Sequence, residues 1–113
     1  MQKIQNLING ELVSPHSGKY LENYNPATGE VYSLIPDSNE KDVDNAVKAA
    51  KAAFPLWSNM QKEKRSAILI RLSELIQQNL DKFALAESID NGKPVWLART
   101  VDIPRAVSNF YFY

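Results

Sequence analysis

The stretch SNEKDVDNAVKAAKAAF, residues 38–54, marks where the chain changes its period. Val43, Ala46, Val47, Ala50, Ala53 and Phe54 recur at the spacing of one helix face. Asn39 is a residue type that caps a helix start with its side-chain oxygen. Asp42 falls in the first turn, where a negative charge suits the helix dipole. Pro55 follows and is expected to stop the helix. Before Asn39 the pattern alternates, and after it the pattern turns helical. The expected fold is therefore an α+β chain: N-terminal β-hairpins, then about four helices. The division expected is 1–36 for the strands and 37–113 for the helices.

Toward the N-terminus, Asn9-Gly10 lies between Leu7-Ile8 and Leu12-Val13, a strong hairpin signal. A turn cluster, Ser14-Pro15-His16-Ser17-Gly18, follows. Residues 20–24 read as a strand with Tyr20 and Tyr24 on one face and Leu21 on the other. Asn25-Pro26-Ala27-Thr28-Gly29 makes a turn, and Val31 to Ile35 form the return strand, ended by Pro36.

Toward the C-terminus, a second helix is expected over about 61–79, with Ile68, Leu69, Leu72, Leu75, Ile76 and Leu80 on its apolar face. A third, over about 81–90, carries Phe83, Ala86 and Ile89 and ends at Asn91-Gly92. Pro94 opens the next segment at a first-turn position. Pro104 is expected to interrupt the last helical pattern, with Asp102 capping a restart. The chain closes on Phe110-Tyr111-Phe112-Tyr113. Those aromatics leave final carbonyls and apolar surface bare, which reads either as a frayed end or as a cut from something longer.

Composition excludes several classes. Hydrophobic residues make up 44% of the 113, enough for a core. Thirteen basic residues balance thirteen acidic ones, so no nucleic-acid footprint exists. No apolar run approaches the ~20 residues of a membrane helix, and the start is too polar for a signal peptide. A cytoplasmic location is expected. There are no cysteines, hence no disulfide, thiolate metal site or cysteine nucleophile. The four glycines, at 10, 18, 29 and 92, form neither a phosphate loop nor a dinucleotide fingerprint. His16 is expected as a solvated loop side chain. Glu40 and Asp44 are expected on a solvated face, and Trp57 and Trp96 in the core. No catalytic residue can be assigned.

Several segments in fixed order resemble the aldehyde dehydrogenase superfamily. They are Ile8-Asn9-Gly10-Glu11, Asn25 to Val31, Asp42 to Ala50 with Ala53-Phe54-Pro55-Leu56-Trp57, Arg65 with the Leu-rich helix to Leu80, and Glu87-Ser88-Ile89-Asp90-Asn91-Gly92-Lys93-Pro94. A narrower stretch, Asp102-Ile103-Pro104-Arg105 followed by Asn109-Phe110, resembles the branch that oxidises 2-aminomuconic or 2-hydroxymuconic semialdehyde.

The resemblance implies NAD-dependent oxidation of an aldehyde to an acid. It also implies that the family's catalytic cysteine, glutamate and NAD site lie outside these residues. The strands would belong to an oligomerisation platform, of a dimer or tetramer, and the helices would pack on the cofactor domain. Arg105, with Val101 one turn before it, would meet a substrate carboxylate, which suits the bidentate guanidinium. Backbone carbonyls of Asn23 and Tyr24 and the Asp90 carboxylate would hold a monovalent cation, a hard ion suited to oxygen ligands. A surface role for Arg105 and a capping role for Asp90 stay open. So do two readings of the whole: a dehydrogenase portion, inert toward NAD alone and partly molten, or a free-standing interaction module that uses Phe110 to Tyr113 and melts cooperatively.

Overall fold

The computed structural model describes every residue from Met1 to Tyr113. Contacts divide it into two compact units, Met1–Tyr24 with Gly29–Asn59 and Asn25–Thr28 with Met60–Tyr113. A division at residue 36 follows the change of secondary structure. The division by contact follows packing and groups the first helix with the strands.

The first unit contains β1 (Gln2–Lys3), β2 (Asn6–Ile8), β3 (Glu11–Val13), β4 (Tyr20–Tyr24), β5 (Val31–Pro36) and α1 (Glu40–Asn59). β2 and β3 form the expected hairpin, with Leu7 opposite Leu12. Asn9 and Gly10 have φ of 54° and 78°, the paired positive values of a type I′ turn. β4 and β5 pair antiparallel from Tyr20↔Pro36, until a register shift at Asn23/Tyr24. Burial does not keep Tyr20 and Tyr24 together: Tyr20 is half-buried and Tyr24 is 51% exposed. β1 adds to the other side of β5 in parallel. Two residues are too few to show a period, so that strand was not foreseen.

Asn39 caps α1 as expected. Its Oδ1 accepts from the Lys41 and Asp42 amides at 3.0 and 3.4 Å. Asp42 reciprocates, its Oδ2 accepting from the Asn39 amide at 2.9 Å. Asp42 Oδ1 accepts from the His16 amide at 2.8 Å, so the same carboxylate pins the preceding turn. The Asn39 amide is the largest cause holding the Asp42 carboxyl below its ordinary value, with the His16 amide adding to it and burial opposing. His16 itself is exposed, as are Glu40 and Asp44.

Two expectations for α1 fail. Pro55 lies inside the helix, which runs on to Asn59. Proline removes one bond of the ladder, and the residues after it still have amides and upstream carbonyls to pair. The apolar stripe is also not covered: Val43, Val47 and Phe54 are 59%, 45% and 65% exposed. Trp57 is exposed as well, against the core position expected of it.

The second unit contains α2 (Lys62–Gln78), α3 (Leu80–Asn91), α4 (Val95–Leu97), a π-helical turn (Ala98–Asp102) and α5 (Ile103–Phe112). α5 packs on α2, and the π-turn packs on α3. Its driest points are small residues: Ala84 and Ala98 are fully buried and Ser73 nearly so. Small side chains let helices approach closely, so the centre follows them rather than the longest apolar groups. The single apolar face expected for α2 is therefore split. Leu69, Ile76 and Leu80 turn inward with Ile70 and Ser73, while Ile68, Leu72 and Leu75 stay exposed. On α3, Ala84 is the buried residue, whereas Phe83 and Ala86 are exposed. Trp96 is exposed too, not core.

Candidate functional site

The segment from Ser88 to Arg105 is built from α3's end, α4, the π-turn and the start of α5. Gly92 ends α3 in the left-handed region, at φ 82°, with its amide bonded to the Ser88 carbonyl at 2.9 Å. A Cβ there would meet the Pro26 Cβ at 3.2 Å, so both backbone and space call for glycine. The Lys93 amide donates to Asn91 Oδ1 at 2.9 Å, and the Ser88 hydroxyl donates to the Lys93 carbonyl. Lys93 is thus fixed through its backbone on both sides.

Pro94 precedes α4, and its carbonyl accepts from Leu97 and Ala98. It stands one place before the first-turn position expected. The chain then stays helical through Pro104, against the interruption expected there. The reason lies in the turn before it. The Ile103 amide reaches back five residues to the Ala98 carbonyl, which widens the helix. Pro104 has no amide to place, and its ring would crowd the Thr100 carbonyl of a regular turn. A widened turn there absorbs both problems. Thr100 Oγ1 donates to the Trp96 carbonyl at 2.7 Å, from the π-turn back to α4.

Asp102 does not cap a restart. Its φ and ψ of −68° and −51° are helical and its side chain makes no cap bond. Its Oδ1 instead accepts from Lys93 Nζ at 3.0 Å. Its Oδ2 is buried without a partner. No spacing signal marks this pair, because Lys93 and Asp102 are nine residues apart and lie on no common periodic face. A second pair, Arg99 Nε to Asp81 Oδ1 at 3.0 Å, is more exposed at both ends.

Arg105 lies in α5's first turn, exposed; its carbonyl accepts from the Ser108 hydroxyl at 3.0 Å, and its guanidinium makes no hydrogen bond or ion pair. Val101 lies in the π-turn and is 38% exposed. Both sit on the solvent side of one continuous helical run. Asn23 and Tyr24 straddle the register shift at the end of β4, in the first unit. Asp90 lies in the last turn of α3, in the second.

A sequence pattern described as the aldehyde dehydrogenase family matches residues 12–113. The chain belongs to the aldehyde dehydrogenase family. It is 48% identical over 110 residues to a 2-aminomuconic semialdehyde dehydrogenase of Bos taurus, and 46% to that of Homo sapiens. Both alignments cover 97% of this chain and 22% of the relative. The fold matches an aldehyde dehydrogenase from Bacillus cereus, solved as its NAD+ complex, with a TM-score of 0.95 at 39% identity. That match covers 99% of this chain and 23% of the other. The chain thus spans under a quarter of the length of these relatives. No helix is long and apolar enough to cross a membrane.

Proposed function

We propose that this chain is the N-terminal portion of an NAD-dependent aldehyde dehydrogenase that oxidises a semialdehyde of the muconic type. In this reading Arg105 receives the substrate's carboxylate and Val101 offers apolar surface beside it. The observation that carries the reading is the state of Arg105: an exposed guanidinium with no acidic partner, on the stretch that resembles the semialdehyde branch. A planar fork of donors left unpaired is suited to a carboxylate supplied from outside. The relatives named as 2-aminomuconic semialdehyde dehydrogenases support that substrate class.

The chemistry itself belongs to residues outside these 113. The chain offers no cysteine nucleophile and no phosphate-cradling glycine loop, so its own contribution is to bind and orient the substrate. Assembly as a homo-oligomer, a cytoplasmic location and a monovalent cation on the Asn23, Tyr24 and Asp90 oxygens form part of the same reading, on the family resemblance alone. The alternative, a free-standing interaction module, draws on the aromatic end. Tyr111, Phe112 and Tyr113 are 66%, 80% and 79% exposed.

The test is Arg105→Ala in the complete enzyme, assayed on a carboxylate-bearing semialdehyde and on an uncharged aldehyde of similar length. Loss of charge-assisted hydrogen bonds should lower kcat/KM for the first by about 10- to 100-fold and leave the second nearly unchanged. Equal effects on both substrates would refute the assignment.

A further inference from the structure

Val101 and Arg105 lie on either side of Asp102, at the point where the π-turn hands over to α5. A π-turn holds one residue more than a regular turn. That extra residue rotates everything after it by about 100° around the helix axis, since a regular turn has 3.6 residues. The face that Arg105 presents is therefore set by whether this turn stays wide. Two features favour it locally, the absent amide of Pro104 and the Thr100 hydroxyl on the Trp96 carbonyl. Neither ties the turn to the rest of the unit. The Lys93–Asp102 pair does. Its side chains are 40% and 26% exposed, less open than the Arg71–Glu74 and Arg99–Asp81 pairs.

The pair is anchored at its lysine end. Lys93 is fixed through its own amide and carbonyl, beside a glycine that cannot be replaced without strain. Asp102 is its other end, the last residue of the π-turn. It closes that turn three residues before Arg105, so its bond to Lys93 ties the turn to the end of α3.

We infer that Lys93 and Asp102 are positioning residues for Arg105: their ion pair holds the π-turn wide and so aims the guanidinium at the substrate carboxylate. The inference rests on Arg105 being the carboxylate's receptor. Neither residue touches substrate in this account. Loss of the pair lets the turn relax toward a regular helix, and Arg105 swings away from its position.

The experiment uses the complete dehydrogenase with Asp102→Asn, Lys93→Met and Lys93→Arg, each assayed on the carboxylate-bearing semialdehyde and the uncharged aldehyde. The first two variants should raise KM for the charged substrate about tenfold while kcat stays within about twofold. KM for the uncharged aldehyde should hold, and Lys93→Arg should behave as the parent. Hydrogen exchange at the Ile103 amide, which closes the π-turn on Ala98, should accelerate in the first two variants only. Equal losses on both substrates, or unchanged exchange at Ile103, would overturn the inference. If Arg105→Ala loses carboxylate selectivity and Asp102→Asn does not, the positioning role fails and the Arg105 reading survives. If Arg105→Ala itself keeps its selectivity, both fail.

Discussion

Asp42 reads as a first-turn acid and Asp102 as the cap of a helix restart, and they have opposite fates. Asp42 gives both oxygens to backbone amides, those of Asn39 and His16, and is 6% exposed. Asp102 gives one oxygen to Lys93 and leaves the other buried and unmet. A carboxylate satisfied by amides of fixed loops closes a structural corner. A carboxylate held by one long side chain joins two stretches of chain nine residues apart. The difference is one of partners, not of residue type.

Substitution tests each carboxylate in turn. The largest effect expected is at Asp102. Removing its partner in Lys93→Met leaves a mostly buried carboxylate alone and should lower the local opening free energy at Ile103 by about 1–3 kcal/mol. The double change Lys93→Met with Asp102→Leu should recover much of that, because no charge is then stranded. If the double variant is no better than the single one, Asp102 is not held by the lysine. Next is Gly92→Ala. A positive φ and a neighbour at 3.2 Å should cost about 1–2 kcal/mol, read as faster exchange at the amides of Gly92 and Lys93.

Asp42→Asn should be milder, since one amide oxygen remains to accept. Its signature is in pH. The Asp42 carboxyl titrates below its ordinary value of 3.8 in the folded chain. Its stabilisation is therefore complete above that value and is lost as pH falls through the lower folded value. Protection of the Asn39 and His16 amides should collapse over that acid window in the parent and show no such step in Asp42→Asn. A parent without the step would mean the carboxylate does not hold those amides. The smallest effect expected is for Asp81→Ala. It breaks the exposed pair to Arg99, on the same π-turn, and should change stability by less than about 0.5 kcal/mol. An effect as large as that of Lys93→Met would remove the distinction drawn between the two pairs.

The Asn39 end of the Asp42 corner was legible because its logic is local, while the bond to the His16 amide, 26 residues away, was not. Asn39 and Asp42 are three apart, and a capping box needs nothing else. The Asn9-Gly10 hairpin was legible for the same reason: two residues suited to positive φ between two short apolar pairs. The site at Asp102 was half-legible. Arg105 stood out through its motif, but its setting depends on how the helix carries Pro104, and the sequence predicted a break there. No spacing rule pairs Lys93 with Asp102, because the contact exists only after α3, Gly92 and the π-turn fold back together. The inner faces of α2 and α3 were misjudged by the same logic. Periodicity marks which residues are apolar, and packing chose Ala84, Ala98 and Ser73 because they are small. The stripes left over, Val43, Val47 and Phe54 on α1 and Ile68, Leu72 and Leu75 on α2, are patterned for burial and stand exposed.

Whether these residues are one portion of a complete dehydrogenase is read from the intact mass of the protein from its native source. A mass several-fold above the 12.8 kDa of this chain is expected. A mass equal to 12.8 kDa would contradict it and leave the interaction module as the surviving reading.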